Sequence, residues 1–340
     1  MRAVLIINPV SGMSTLATSE GTPQENEEAI LAALRTHGIE AEVLHTTPEE
    51  LGAGLAAQAA AEQTEVIIAA GGDGTIHEVA TGLIGTQSAL GIIALGTMNN
   101  LAHSLNIPET IEEACAAIAT GETVSIDVGK INEQYFLEVA GIGLEAALFP
   151  AAEEVKSPGV LSTLHGIIEG LRILLAYKPA RLRISIDEQK RSPYHAIQVT
   201  ICNSPSYGPQ FKLVPDALMD DGLLDVIIFK NFSKLEYMRH AISIAQGRRP
   251  YQPKVIHRRI KSMRINTDHP MEIQADGLPH GYTPAVVTVL SGALHVRVPV
   301  GAQLSSALAN GLHSAGRNSA QSTQLTSKAI STQKGPANVR

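Results

Sequence analysis

Glu65-Val66-Ile67-Ile68-Ala69-Ala70-Gly71-Gly72-Asp73-Gly74-Thr75-Ile76-His77-Glu78-Val79-Ala80 is the stretch from which the rest of the chain is read. Its first six residues form a short apolar run with β-branched members, the pattern of a strand buried in a parallel sheet. Beyond Thr75, the apolar positions Ile76, Val79, Ala80 and Leu83 share one helical face, and Thr75 with Glu78 has the spacing of a capping box. Between strand and helix, three glycines and one acid leave the backbone bare. Its N–H groups can then approach an anion closely, and the helix N-terminus points at the same spot. The functional reading is a phosphate-binding loop whose Asp73 serves a metal or a transferable proton. The plainer reading is a strand–helix turn with an N-capping acid.

The surrounding chain favours the first. Residues 3–7 read as a strand running into Asn8-Pro9-Val10-Ser11-Gly12, a polar turn of small residues. Thr22-Pro23-Gln24-Glu25 is a capping box with proline at the first helical position, opening a helix to about Gly38. A strand over 41–44 leads to His45-Thr46-Thr47, and Thr47 with Glu50 is read as the cap of an alanine-rich helix to about Glu62. Residues 90–95 form a fourth strand, stopping at Gly96-Thr97-Met98-Asn99-Asn100, and Thr110 with Glu113 caps another helix. This alternation implies an α/β domain with a parallel sheet, whose ligands bind beyond the carboxyl ends of the strands. The turns at Asn8–Gly12, Thr46, Gly71–Thr75 and Gly96–Asn99 all fall on that rim.

From about Glu122 the pattern becomes strand after strand without regular helices, which indicates an antiparallel second domain. The expected division is 1–122, 123–304 and a polar tail over 305–340, with the last strands of the second domain able to pack back on the first. One helix stands out at about 159–176, where Val160, Leu164, Ile167, Ile168, Leu171, Leu174 and Leu175 form an apolar stripe. The stripe reads as the cover of a sheet or as a wall or lid for an acyl chain. Gly141-Ile142-Gly143-Leu144-Glu145-Ala146 matches a dinucleotide fingerprint formally, but Pro150 should break its helix early, so it is read as a strand-end turn.

Composition narrows the class. The 340 residues are 44% hydrophobic and 17% charged with a net charge of -7, which argues against a general nucleic-acid binder. Two cysteines without ligand spacing read as packing residues in a reducing compartment. With no signal peptide and no bilayer-length apolar run, a cytoplasmic location is expected. Arg248, Arg249, Lys254, Arg258, Arg259, Lys261 and Arg264 form a basic segment, either a solvated strand face or an attraction to an anionic membrane surface. Leu213 to Asp225 packs acids around a turn, as Asp-Asp-Gly turns do and as oxygen-rich cation sites also do.

Asn8-Pro9-x-Ser11-Gly12, Gly71-Gly72-Asp73-Gly74-Thr75, Gly96-Thr97-x-Asn99 and Pro215-x-Ala217 followed by Asp221-Gly222-Leu223-Leu224-Asp225 occur together and in this order. In this the chain resembles the diacylglycerol kinase catalytic family, which includes sphingosine and ceramide kinases. The glycine motif alone is shared with NAD kinases and relatives of phosphofructokinase. The resemblance implies an N-terminal three-layer nucleotide domain, a C-terminal β-sandwich and ATP-dependent phosphorylation of a lipid alcohol such as diacylglycerol or a sphingoid base. By position, Asn8, Pro9, Val10, Ser11, Gly12, Thr46 (or Thr47), Gly71 to His77 with Ile76, Thr97 and Asn99 would hold ATP. Asp221 with the carbonyls of Leu218 and Leu223 would match a structural Mg²⁺ site, and Asp127 would join the hydrogen bonds linking it to the active site. Asp276 would be the family's proposed general base, with Asp73 beside it at the reacting hydroxyl.

Two departures stand out: Asn100 replaces the usual Asp after Gly-Thr-x-Asn, and Leu278 replaces the Glu of Asp-Gly-Glu. A second enzyme reading is an NAD kinase-like nucleotide kinase, against which the extended Pro215–Asp225 motif speaks, and Leu278 keeps open a nucleotide- or lipid-binding regulator with weak catalysis. The expected partners are a lipid alcohol and, transiently, a membrane surface; the oligomeric state stays open between monomer and homodimer.

Overall fold

The computed structural model describes residues 1–9, 22–156, 160–187, 189, 192–205, 213–230, 233, 235, 236, 239 and 255–302. Val10, Ser11 and Gly12 of the expected nucleotide site, Arg248, Arg249 and Lys254 of the basic segment, and the expected polar tail beyond residue 302 lie outside them.

Strands β1 (Arg2–Ile7), β2 (Glu40–His45), β3 (Val66–Gly71) and β4 (Ala89–Ala94) pair in parallel in the order β2–β1–β3–β4. Every residue of β3 and β4 is buried, as strands covered on both faces must be. Two helix pairs cover them: α1 (Pro23–Thr36) with α5 (Ile111–Thr120), and α2 (Ala53–Ala61) with α3 (Asp73–Leu83). Leu5, Ile6, Ile67, Ile68 and Leu90 are fully enclosed, each worth on the order of 1.5–3 kcal/mol in removed apolar surface.

The caps divide into those read correctly and those that differ. Thr22 and Glu25 exchange both bonds of a capping box, and Thr110 accepts from the Glu113 amide. The other two expected caps are absent. α2 starts at Ala53 because the Glu50 carboxylate accepts the amides of Gly52 and Gly54, while Thr47 closes the turn before it. α3 starts at Asp73 with Gly72 as its N-cap, so Thr75 lies inside the helix and its hydroxyl faces Asn8.

β5 (Glu122–Ile131) begins where the sequence changes texture, and antiparallel pairing follows. β6 (Gln134–Phe136), β7 (Val139–Gly143), β8 (Ala180–Ile186), β9 (Ser192–Cys202), β10 (Leu224–Lys230), β11 (Val255–Ile260), β12 (Ser262–Thr267), β13 (Glu272–Ala275) and β14 (Leu278–Tyr282) surround a second core built on Phe136, Ile142, Leu182, Val199 and Ile265. The last strand, β15 (Ala285–Val298), runs antiparallel to β5 and β12 and then parallel to β4. One hydrogen-bonded sheet thereby passes through both halves.

Helices α6 (Leu144–Lys156) and α7 (Val160–Ala176) differ from expectation. Pro150 sits inside α6 without ending it. The α7 stripe is turned outward: Leu164, Ile167, Ile168, Leu171 and Leu175 are each at least half exposed. α7 reaches the protein through Ile173 and Leu174, which pack with Leu148 and Tyr177 against the sheet, and through its contact with α6. No helix among the described residues is long and apolar enough to cross a membrane.

Candidate active site

The carboxyl ends of the parallel strands meet on one rim. Asn8, following β1, donates its amide to Ala70 O at 3.3 Å and its Nδ2 to Thr75 Oγ1 at 3.4 Å. Thr46, following β2, is buried and donates its amide to Ile7 O at 3.0 Å. Leu95, following β4, donates to Gly71 O at 2.8 Å. Pro9 and Thr97 are exposed beside these ends.

The glycines of the loop have different reasons to be glycine. A Cβ on Gly71 would lie 2.7 Å from the Thr75 side chain, and one on Gly96 would lie 2.7 Å from Gly72 Cα. Both are dictated by packing of the loop on itself. A Cβ on Gly74 would meet nothing within 4 Å, and Gly74 is exposed in the first turn of α3. First-turn amides have no helical acceptor, so this bare surface presents donors to open space. Ile76 offers none, since its side chain is in the core and its amide donates to Gly72 O.

Asp73 holds the loop that follows β4. Its Oδ2 accepts from the Asn99 amide at 3.0 Å and its Oδ1 from the Asn100 amide at 2.7 Å, at the start of the short helix α4 (Asn100–Ser104). Burial pushes its carboxyl above the usual range, against the pull of these amides. Asn99 has φ 48°, the left-handed region, and its side-chain amide pairs with both the amide and carbonyl of Gly96 at 3.0 Å. Asn tolerates that conformation because its short side chain can bond locally. Asn99 therefore shapes the loop, and its side chain is already committed.

Asp276 sits in the turn between β13 and β14, also with positive φ (43°). Its Oδ2 accepts from Leu137 N at 2.6 Å, and its Oδ1 from Glu138 N and Val139 N at 3.1 and 2.9 Å. His77 Nδ1 lies 3.1 Å from Oδ2, which ties α3 to the C-terminal half. Burial alone would lower the His77 pKa; the Asp276 hydrogen bond and charge, with Glu78, outweigh it and raise it. Leu278 is exposed.

Glu138 is the acid that sequence reasoning missed. Burial, with Asp276 and Asp73 nearby, pushes its carboxyl well above the usual range against a bond from the Leu101 amide. Its only sequence signal was a lone acid in an otherwise apolar strand run, which registers as nothing without the fold. Asn203 was missed too. Its Nδ2 donates to the carbonyls of Asp127 and Leu137, both at 2.8 Å.

The acidic turn lies at the far end of that chain of bonds. Asp127 accepts from the amides of Gly222 at 2.6 Å and Gly292 at 2.8 Å, so both its oxygens clamp loops. Asp221 accepts from Leu223 N at 3.0 Å and pairs with the Arg259 guanidinium. Leu218 and Leu223 flank it, half-buried. Among the described residues no group of three or more His, Cys, Asp or Glu could hold a metal ion. Asp221 beside the Arg259 guanidinium, and Asp127 with one loop amide on each oxygen, are the side chains from which the expected Mg²⁺ site would be built together with the carbonyls of Leu218 and Leu223.

Residues 2–131 match the family model described as diacylglycerol kinase catalytic domain. Residues 116–298 match the YegS C-terminal NAD kinase beta sandwich-like domain. The chain is 30% identical to a diacylglycerol kinase of Bacillus subtilis (strain 168) over 303 residues, 88% of this chain and 96% of the relative. It is 32% identical to a diacylglycerol kinase of Staphylococcus aureus (strain MRSA252) over 304 residues, covering 88% and 92%. Among solved structures, a putative diacylglycerol kinase from Bacillus anthracis str. Sterne superposes with a TM-score of 0.71 at 26% identity, covering 87% of this chain and 97% of that one.

Proposed function

Because the chain belongs to the diacylglycerol kinase catalytic-domain family and is a lipid kinase, we propose that it transfers the γ-phosphate of ATP, taken as its Mg²⁺ complex, to the hydroxyl of diacylglycerol or a closely related lipid alcohol. The observation that carries this is the meeting of Asn8, Gly71–Thr75 and Gly96–Asn100 on one rim, with Asp276 and His77 beside it. Phosphoryl transfer asks mainly for positioning and neutralisation of charge. The Gly74 and Thr75 amides would cradle phosphate oxygens, and Asn8, Pro9, Val10, Ser11, Gly12, Thr46 and Thr97 would line the nucleotide's bed. Asp73 would act by holding the 96–100 loop against α3, and Asp276 by holding the acceptor side of the site. Mg²⁺ would arrive chelated by the phosphates of ATP.

A cleft of about 890 Å³, lined by Ala146, Pro150, Ile173, Tyr177, Ile273 and Tyr282 among others, lies along the β13–β14 hairpin that carries Asp276. Its size and mainly apolar lining, beside Lys178, His269 and Glu272, suit an acyl chain. The C-terminal end of α7 lines it through Ile173 and Ala176, and we assign the outward stripe of the same helix to transient contact with the bilayer from which the lipid is drawn. We also propose the division into a nucleotide domain over 1–122 and a lipid-kinase domain over 123–304.

The test is incubation of the purified chain with γ-labelled ATP, Mg²⁺ and vesicles containing diacylglycerol, followed by lipid extraction. Label in the phosphorylated lipid is the expected result. Label in NADP from added NAD, with none in lipid, would replace this reading by a nucleotide kinase.

A further inference from the structure

The carboxylates at the site are poorly placed to take the proton that leaves the acceptor hydroxyl. A carboxylate has about four lone-pair sites. Asp276 fills them with the amides of Leu137, Glu138 and Val139 and with His77 Nδ1. Burial pushes the Glu138 carboxyl well above the usual range, and it already accepts a bond from the Leu101 amide. Leu278 carries no basic atom. Asp73 braces two amides of the 96–100 loop.

His77 is different. Its Nδ1 is bound to Asp276, its side chain is 16% exposed, and no described residue forms a hydrogen bond to Nε2. It lies four residues after Asp73 on α3, about 6 Å along the helix axis from the residue that opens the phosphate-binding turn. We propose that His77 Nε2 accepts the proton of the lipid hydroxyl, with Asp276 as the positioning residue that fixes the ring through Nδ1. This rests on the lipid kinase reading above and extends it to the acid–base chemistry.

The step balances as follows. The lipid O–H bond breaks as the oxygen's electron pair forms a bond to Pγ, and the proton moves to Nε2. The bond from Pγ to the β–γ bridging oxygen breaks and ADP leaves with that electron pair. The imidazolium, held against Asp276, later releases its proton to water. An acid–histidine pair of this kind stabilises the charged ring without the carboxylate itself becoming protonated.

The groups that face His77 are Asp276 and Glu78, which favour its charged form, and His280, which opposes it together with burial. Their net effect is a raised pKa, so kcat/KM should climb with pH along a limb centred above the ordinary histidine range of about 6.5.

The experiment measures kcat, KM and the pH profile with MgATP and diacylglycerol in detergent micelles, and ATP affinity by calorimetry. His77→Asn is expected to lower kcat by roughly 10²–10⁴-fold, to erase the limb and to leave ATP affinity intact. Asp276→Asn should move the limb to lower pH, because the charge that favours imidazolium is gone. His77→Gln serves as the second variant if His77→Asn does not fold. Wild-type kcat with an intact limb in His77→Asn overturns the proposal, as does a loss confined to ATP affinity. A limb that survives in His77→Asn and vanishes in Asp73→Asn also overturns it. A wild type inactive on every lipid alcohol overturns the lipid kinase reading and this proposal with it, whereas an active wild type with an unaffected His77→Asn overturns this one alone.

Discussion

Gly71, Gly96 and Gly74 look alike in the sequence and differ in what surrounds them. The first two are excluded from having a Cβ by Thr75 and Gly72. Gly74 has room for one and sits in a helix, where glycine costs about 1 kcal/mol relative to alanine. A ligand that must touch the backbone accounts for keeping it. Gly74→Ala should therefore hold or raise the melting temperature while weakening ATP binding tenfold or more, about 1.4 kcal/mol or above. Calorimetry beside a thermal melt checks this, and tight ATP binding in the variant would remove Gly74 from the site. Glu138 makes a separate prediction. Below the ordinary glutamate range both folded and unfolded chains keep its proton. As pH rises toward the raised native value, the unfolded chain releases a proton that the native chain retains, and stability falls. Glu138→Gln, permanently neutral, should melt like the wild type near pH 4 and progressively higher than it toward pH 8. Parallel curves across that range would refute the buried, protonated state.

Among the elements, α7 carries the sharpest contrast between pattern and placement. Its apolar stripe has the periodicity of a core-facing helix, yet Ile168 and Leu171 are at least half exposed. Periodicity identifies an apolar face without saying what covers it, and the bilayer supplies the cover proposed above. The double variant Ile168→Ser with Leu171→Ser removes two side chains worth about 1.5–3 kcal/mol each on burial. Vesicle binding should fall on the order of 10²-fold, with activity on short-chain diacylglycerol in detergent retained. Undiminished vesicle binding by flotation would dismiss α7 as the contact. Elsewhere, local signals served well: Thr22 and Thr110 cap the helices they were read to cap. They failed at Thr47 and Thr75, because a capping-box spacing also occurs where a glutamate or a glycine already starts the helix.

Across both halves, β15 is the member that joins them. It gives Leu294, Val296 and Val298 to the first core and Ala285 and Val287 to the second. Leu294→Ala should cost about 2–5 kcal/mol, and both halves should lose protection together in urea, as one cooperative transition followed by hydrogen exchange. Two separate transitions would show that β15 does not couple them. The hydrogen-bond path from Gly222 through Asp127 and Asn203 to Leu137 and Asp276 runs across the same region. It runs through the side chains of Asp127 and Asn203 and through backbone groups that leave no mark in the sequence.

The order of the strands and of the loops between them was legible from residues 1–100, because a strand followed by glycines and a capped helix leaves a strong local imprint. So was the family, through four motifs in a shared order. What needed the folded chain was every relation between distant segments: Asp276 bonded to His77 across 199 positions, Glu138 buried among acids, Asp221 paired with Arg259, and α7 facing outward. Local sequence encodes period, cap and turn, which depend on neighbours a few residues away. Burial, charge pairing and the filling of a carboxylate's bonding sites depend on what packs in from elsewhere, and on these rests the proposal that a histidine takes the hydroxyl proton.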